Sequence, residues 1–335
     1  MTIINGIEID RIQIPNNDIH SAITNNDLID SKLHVIMVVS NPCQYARRYI
    51  LAREFIKRME LEANIILYTV ELAYGSHKFY LTDTKNKRHL QLHGGNCPPI
   101  WHKENMINIG VHRLLPSSWK AFAWIDADIE FENVHWANDT LKILNGCKDI
   151  VQLFSHAVDM DRDQNAMSIF PSFGYQLSKG RRYGGTGINM WHPGFAWACT
   201  RRAYEKMGGL YERSVLGAGD HNMALSLIGN GQKSVNIATT QDYKDSVLDF
   251  EDRVRGMRFG YVPGVIRHYF HGAKKNRKYS ERWKILVDHE FSPSEHIEIR
   301  KSDGLLVPTA LCPPKLLANI RLYFEERNED EGFKV

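Results

Sequence analysis

The chain has 335 residues, 43% hydrophobic and 24% charged, with 42 basic against 39 acidic side chains and a net charge of +3. That balance suits a globular protein with a core large enough to need no disulfide or structural metal, and it gives no whole-chain reason to expect nucleic acid or a membrane as partner. Five scattered cysteines, Cys43, Cys97, Cys147, Cys199 and Cys312, form no CxxC pair, which argues against a disulfide framework or zinc ribbon and points to a reducing, cytoplasmic setting.

Residues 1–32 are rich in Asn and Asp and read as an amino-terminal extension with room for one hairpin. They show no basic segment followed by an apolar run, so no signal peptide is expected. No window approaches the ~18 apolar residues of a membrane span. The core begins at "LHVIMVVS" (33–40), a continuous apolar run of the kind found in buried parallel strands. Asn41-Pro42 ends it, and "YARRYILAREFIKRMELE" follows with apolar residues at helical spacing. "NIILYTVEL" (64–72) is a second buried strand, completing a β-α-β unit. "KFYLTDTKNKRHLQLH" (78–93) alternates around a polar turn and reads as a hairpin. "KENMINIGVHRLLP" (103–116) is a helix stopped by Pro116, and "AFAWI" (121–125) is a strand. "HWANDTLKIL" reads as a helix and "DIVQLF" as a strand.

Residues 155–193 are polar and glycine-rich and read as one long loop, a length that marks a functional or mobile segment. "FAWACTRRAYEKMGGLY" is a strand then a helix, "GAGDHNMALSLIG" a turn opening a helix, and "DYKDSVLDFEDRVRGM" a charged helix. "FGYVPGVIRHYFHG" (259–272) reads as one strand ending in two histidines. The tail from 313 holds one helix, then acidic residues expected to be disordered.

Three places carry candidate chemistry. Asp126 and Asp128 follow the strand "AFAWI". In parallel α/β sheets ligands sit beyond the carboxyl ends of strands. Two carboxylates there repel unless a cation joins them, and Mg²⁺ or Mn²⁺ suits oxygen ligands with open positions. A helix cap or a surface turn is the plain alternative. His268 and His271 end a late strand, and strand alternation expects only one of them to reach a metal. Lys274, Lys275 and Arg277 follow, a basic loop suited to a diphosphate or simply solvated. Asp220 opens a helix behind small residues, as a general base or as a helix cap.

Taken in order, "VVSNP", "KENMINIG", "WIDADIEF", "GFAWACTRRAYEKMGGLYE", "GAGD" and "HYFHG" make residues 33–290 resemble a GT-A fold, nucleotide-sugar-dependent glycosyltransferase, with a galactosyltransferase-like carboxyl-terminal segment. The resemblance implies an α/β, Rossmann-like, mostly parallel central sheet flanked by helices. It implies a single domain over 33–290, with 1–32 as extension and 291–335 as a helical tail. Asp128 resembles the metal-binding end of the Asp-x-Asp motif. Asp126 is similar to the position that helps hold the ribose or the metal. His271, or else His268, resembles the third protein ligand, and Asp220 the base of inverting members.

The same resemblance places Asn41, Lys103 and Asn108 where nucleotide is contacted, and Lys274 and Lys275 beside the diphosphate. Trp191, His192, Gly194 and Phe195 are candidates for the sugar or acceptor pocket, since an aromatic ring offers a sugar an apolar face; core packing is the alternative for Phe195. One departure is plain: Gly217-Ala218-Gly219-Asp220 stands where galactosyltransferase-like enzymes carry an aromatic residue and a Glu-Asp pair.

The expected activity is therefore metal-dependent hexosyl or N-acetylhexosaminyl transfer, inverting, from a UDP-sugar with Mn²⁺ (or Mg²⁺), to a glycan, glycoprotein or small-molecule hydroxyl. Two other readings stay open: a metal-dependent nucleotidyltransferase, and a non-catalytic carbohydrate-binding protein on the same fold. "DMDRDQN" (159–165) fails as a calcium loop, with Gln164 and Phe170 where Gly and Glu are needed. "HLQLH" reads as hairpin rather than zinc site, and "YGGTG" lacks the Lys of a phosphate-binding loop.

Overall fold

The computed structural model describes residues 3–4, 7–8, 30–145, 148–185 and 190–331. The extension to residue 29 lies outside the described residues, save for a two-strand pairing of Ile3–Ile4 (β1) with Ile7–Glu8 (β2). Cys147, residues 186–189 of the glycine-rich stretch and the end of the acidic tail also lie outside them.

The expected β-α-β unit is present. Leu33–Ser40 (β3), the helix Ala46–Leu61 (α1) and Ile65–Tyr74 (β4) follow in order, and β3 and β4 pair in parallel. His89–Gly95 (β5) adds to the edge beside β4, also parallel. The hairpin expected over 78–93 is corrected by this pairing. Residues 80–82 turn their backbone N–H groups onto the buried Glu71 carboxylate, at 2.8–3.0 Å, so no partner strand forms there.

Lys103–Leu114 (α2) leads to Ala121–Ile125 (β6), Ile129–Phe131 (β7), Trp136–Leu144 (α3) and Ile150–Gln152 (β8). The long loop expected over 155–193 is also corrected. It contains His156–Met160 (β9) and Ala166–Pro171 (β10) paired antiparallel, then the short helix Phe173–Ser178 (α4). Asp161 makes the turn, accepting the Asn165 N–H at 2.8 Å.

Ala196–Thr200 (β11), Arg201–Met207 (α5), Gly219–Leu227 (α6) and Gln241–Val254 (α7) come next. The single strand expected over 259–272 is two: Phe259–Tyr261 (β12) and Val265–His268 (β13), in different sheets. Pro263-Gly264 breaks the run between them. Arg282–Asp288 (α8), Pro293–His296 (α9), Ile297–Ile299 (β14), Leu306–Pro308 (β15) and Pro314–Glu326 (α10) complete the chain.

The main sheet runs β12-β8-β11-β6-β3-β4-β5 and is parallel except for β11. Helices cover both faces. Ile36, Phe122 and Trp124 point to one core with α2, α7 and α10; Val35, Met37, Ala121 and Ala123 point to the other with α1 and α3. Burial on both faces is why "LHVIMVVS" and "AFAWI" read as unbroken apolar runs. Each fully buried side chain of this size contributes about 1.5–3 kcal/mol. The architecture is thus mixed α/β with a large, mostly parallel sheet flanked by helices.

A second sheet, β10-β9-β13-β7, stands at the carboxyl end of β6. Asp126, Ala127 and Asp128 are the link between the two sheets. Phe195 reaches across this link: its carbonyl accepts the Asp126 N–H at 2.8 Å.

Candidate active site

The two aspartates after β6 part company. Lys103, the first residue of α2, places Nζ 2.6 Å from Asp126 Oδ1 and 3.7 Å from Asp220 Oδ2. A cation at a helix amino terminus opposes the dipole, and the two carboxylates offset this. Burial alone would depress the Lys103 ammonium, but Asp126 first, then Asp220 and Glu104, hold it raised. Burial pushes the Asp126 carboxyl up to about 6 against the pull of Lys103. Asp126 therefore has its counter-charge within the chain and is not one of the clustered metal-type donors. The geometry pairs Asp126 with Lys103, while the expected metal donors that cluster among the described residues are Asp128, His268 and His271.

Asp128 goes the other way. Its Oδ2 lies 2.8 Å from His271 Nε2 and 3.8 Å from His268 Nε2. The ligand atoms of Asp128, His268 and His271 all lie within 4.8 Å of one another. Both histidines reach the cluster, against the expectation of one, because β13 ends at His268 and the chain turns before His271. The backbone of Tyr269 holds that turn by donating to the Asp128 carbonyl at 2.8 Å. Burial would raise the Asp128 carboxyl, but His271, then His268 and Arg277, draw it well below the usual range.

A divalent cation fits these donors. Asp128 Oδ1 is buried with no hydrogen-bond partner among the described residues. One carboxylate and two imidazoles suit Mn²⁺ better than Mg²⁺, which prefers oxygen. Arg277 Nη2, 2.5 Å from His271 Nε2, sets a fixed cation beside the same point.

Two further carboxylates stand behind the cluster. Asp159 accepts from His268 Nδ1 at 2.6 Å and takes Lys274 Nζ at 2.5 Å. These partners outweigh burial and hold the Asp159 carboxyl at about 2. Burial lowers His268 despite Asp159. Glu329 touches His271, Arg48 and Arg327; the two guanidiniums outweigh burial and keep it well below the usual carboxylate range. The acidic tail expected to be disordered is, over 328–331, docked on the domain instead.

A cavity of about 970 Å³ opens between the cluster and the start of α6. Asn41, Lys103, Asp126, Asp128, Trp191, His192, Gly194, Phe195, Asp220, His268, His271 and Lys274 all line it. Asp220 does not cap its helix: the cap position is Ala218, at φ +82°, and Asp220 follows in the first turn. Gly194 lies against it, and a Cβ there would stand 3.2 Å from Asp220 Oδ2. Phe195, itself at φ +83°, stacks on His192 at 4.3 Å and meets the His268 ring at 4.6 Å. Such a backbone conformation is costly for a bulky residue and clusters at functional sites. Burial drives His192 down to about 3, so this wall is neutral.

Some expected residues are engaged elsewhere. Asn108 does not line the cavity; its amide ties α2 to the 210–212 segment, donating to Leu210 O at 3.0 Å and accepting from Leu210 N at 2.8 Å. Lys275 is exposed and does not line the cavity. Asn41 does, but its amide closes on the Tyr45 backbone at 2.8 and 3.0 Å, setting the start of α1.

Sequence reasoning missed Arg48, Asp159, Glu329 and Glu104. Glu104 is 3% exposed, with Oε1 unpartnered among the described residues. Burial first, then Asp220, pushes it up to about 8. A charged residue at a buried helical position was its only local signal.

No protein-family model matches the chain, and no curated protein matches it. Among solved structures it is similar to the Drosophila beta1,4galactosyltransferase 7 catalytic domain with xylobiose, at 10% identity over 85% of this chain and 95% of that one, with a TM-score of 0.34. A mutant of that enzyme with manganese, UDP-Gal and xylobiose matches at 10% identity over 88% and 98%, with a TM-score of 0.36. 4-Diphosphocytidyl-2C-methyl-D-erythritol synthase from Anaerococcus prevotii matches at 9% identity over 70% and 88%, with a TM-score of 0.33. At this identity and score none of them assigns a reaction to this chain.

Proposed function

We propose that this chain is a GT-A type, metal-dependent glycosyltransferase. It would move a sugar from a nucleotide diphosphate sugar, a UDP-sugar first among candidates, to a hydroxyl of a glycan, glycoprotein or small molecule. One observation carries the reading: the Asp128, His268 and His271 donors and the uncapped Asp220 carboxylate open on one cavity. Its volume is at the upper end of what small-molecule sites use.

Mn²⁺ held by Asp128, His268 and His271 would act as a Lewis acid, neutralising charge on the leaving diphosphate. Arg277, beside that cluster, would add a fixed positive charge to the same oxygens. Asp220 would take the proton from the acceptor hydroxyl, a contribution of about 10² to 10⁴ in rate. Inversion needs the base and the leaving group on opposite sides of the anomeric carbon. Asp220 and Asp128 come from separate walls, the start of α6 and the end of β6. Trp191, His192 and Phe195 would give the sugar ring an apolar wall, and Gly194 would leave room for it beside Asp220.

The test is donor hydrolysis without acceptor. The protein is incubated with Mn²⁺ and a panel of UDP- and GDP-sugars, and free nucleoside diphosphate is followed. Slow, Mn²⁺-dependent release from one donor supports the reading and names the sugar. Release of pyrophosphate from a nucleoside triphosphate plus a sugar phosphate would replace it with nucleotidyl transfer. No turnover, with glycan bound in the absence of metal, would replace it with a binding protein.

A further inference from the structure

Residues 327–330 lie against the metal-type cluster. Glu329 is 1% exposed. Its Oε1 accepts from Arg48 Nη2 at 2.7 Å and from Arg327 Nε at 2.8 Å, and Arg48 Nε also donates to Oε2. Oε2 lies 3.7 Å from His271 Nδ1. Asp330 then accepts the N–H groups of Ala46 and Arg47 at 2.9 and 2.8 Å, anchoring the tail at the start of α1. Gly272, next to His271, sits at φ +89°; a Cβ there would stand 3.1 Å from Arg327 O and from Glu329 Cα. The tail backbone is therefore pressed against the residue that follows a candidate ligand.

The arrangement repeats across the cluster. His268 turns Nε2 toward Asp128 and Nδ1 to Asp159. His271 turns Nε2 toward Asp128 and has Glu329 Oε2 3.7 Å from Nδ1, with Arg277 Nη2 nearer to the same nitrogen at 3.2 Å. A carboxylate behind a ligating imidazole fixes its orientation and tautomer and strengthens it as a donor. The 3.7 Å separation is an ion-pair distance, longer than the 2.6 Å Asp159 hydrogen bond; Glu329 is shared with Arg48 and Arg327, and Arg277 shares the His271 ring.

We propose that Glu329 is a positioning residue of the candidate metal centre, backing His271 as Asp159 backs His268, so that the segment 327–330 completes the site. This rests on the metal reading of Asp128, His268 and His271. It concerns metal affinity, and so is testable without donor, acceptor or turnover.

The experiment is Mn²⁺ binding to the full chain, followed by calorimetry and by the electron paramagnetic resonance signal of free Mn²⁺. Glu329→Gln should weaken binding by about 10- to 100-fold. The same change made in His271→Ala should add little, since the group it acts through is gone. Binding as tight as wild type in a folded Glu329→Gln protein overturns the proposal and leaves the metal reading intact. So does an equal loss with and without His271, which is the signature of a merely structural role. If Glu329→Gln does not fold, Glu329→Asp carries the same two tests, because it keeps charge near Arg48 and Arg327 but withdraws it from His271. Absence of Mn²⁺ binding by the wild type overturns the metal reading, and the proposal with it.

Discussion

Lys103 Nζ lies 2.6 Å from Asp126 Oδ1, so the first aspartate of the Asp-x-Asp pair finds its counter-charge in the chain itself. Removing that ammonium leaves the partly exposed Asp126 and Asp220 and the buried Glu104 facing one another without a counter-charge. Lys103→Met is expected to destabilise the fold by about 1–3 kcal/mol, between the cost of an exposed pair and that of a fully buried one, since this pair is partly exposed. Urea unfolding checks it, and an unchanged midpoint would show that these carboxylates are well solvated.

The parting of the two aspartates gives a second test. Asp128→Asn should lose most Mn²⁺ affinity, because Asp128 supplies the carboxylate of the cluster. Asp126→Asn should lose far less, and should lower stability through Lys103. Equal loss of Mn²⁺ binding in the two variants would put Asp126 back on the metal.

Asp220→Asn keeps shape and removes the proposed base. UDP and Mn²⁺ binding should persist by calorimetry, while sugar transfer falls by about 10² to 10⁴. Turnover near wild type would take the role away from Asp220.

Glu104 predicts a pH dependence. Its folded pKa of about 8 stands above the ordinary 4.5, with burial as the main cause. Below the ordinary value both states are protonated and the group is neutral to stability. Between the two values the unfolded chain gives up its proton first, so stability falls as pH rises; above about 8 the cost is constant. Wild-type unfolding midpoints should drop between pH 5 and 8, and Glu104→Gln should flatten that slope. Parallel slopes in the two proteins would assign the proton to another group.

Gly219 lets Glu104 approach the start of α6. A Cβ at 219 would meet Glu104 Cδ and Oε1 at 2.4 Å. Gly219→Ala should cost about 1–3 kcal/mol as overpacking, and Glu104→Ala in the same chain should recover part of it. Additive losses in thermal unfolding would show that the two residues do not press on each other.

Local pattern made much of the fold legible. "LHVIMVVS", the amphipathic stretch after it and "NIILYTVEL" were readable because a strand buried on both faces is apolar throughout and a surface helix is not. Residues 78–93 misled because alternation resembles a strand, whereas Glu71 had captured the backbone donors that a hairpin needs. Residues 155–193 misled in the other direction. β10, AMSIFP, leaves Ala166, Met167, Ser168 and Ile169 exposed, so burial stamps no inside–outside alternation on it.

The candidate site divides in the same way. By itself the sequence determined that Asp126 and Asp128 stand at the end of a buried strand, that His268 ends a late one with His271 just beyond it, and that Asp220 opens a helix. Each follows from periodicity within a dozen residues. Only the tertiary structure decided which partner each group meets. His268 pairs with Asp159 across 109 positions, and Arg48 with Glu329 across 281. Side-chain periodicity says which way a residue points, not what lies there. Strand order in the second sheet and the docking of the tail supply the rest, and both are set by packing between elements distant in the chain.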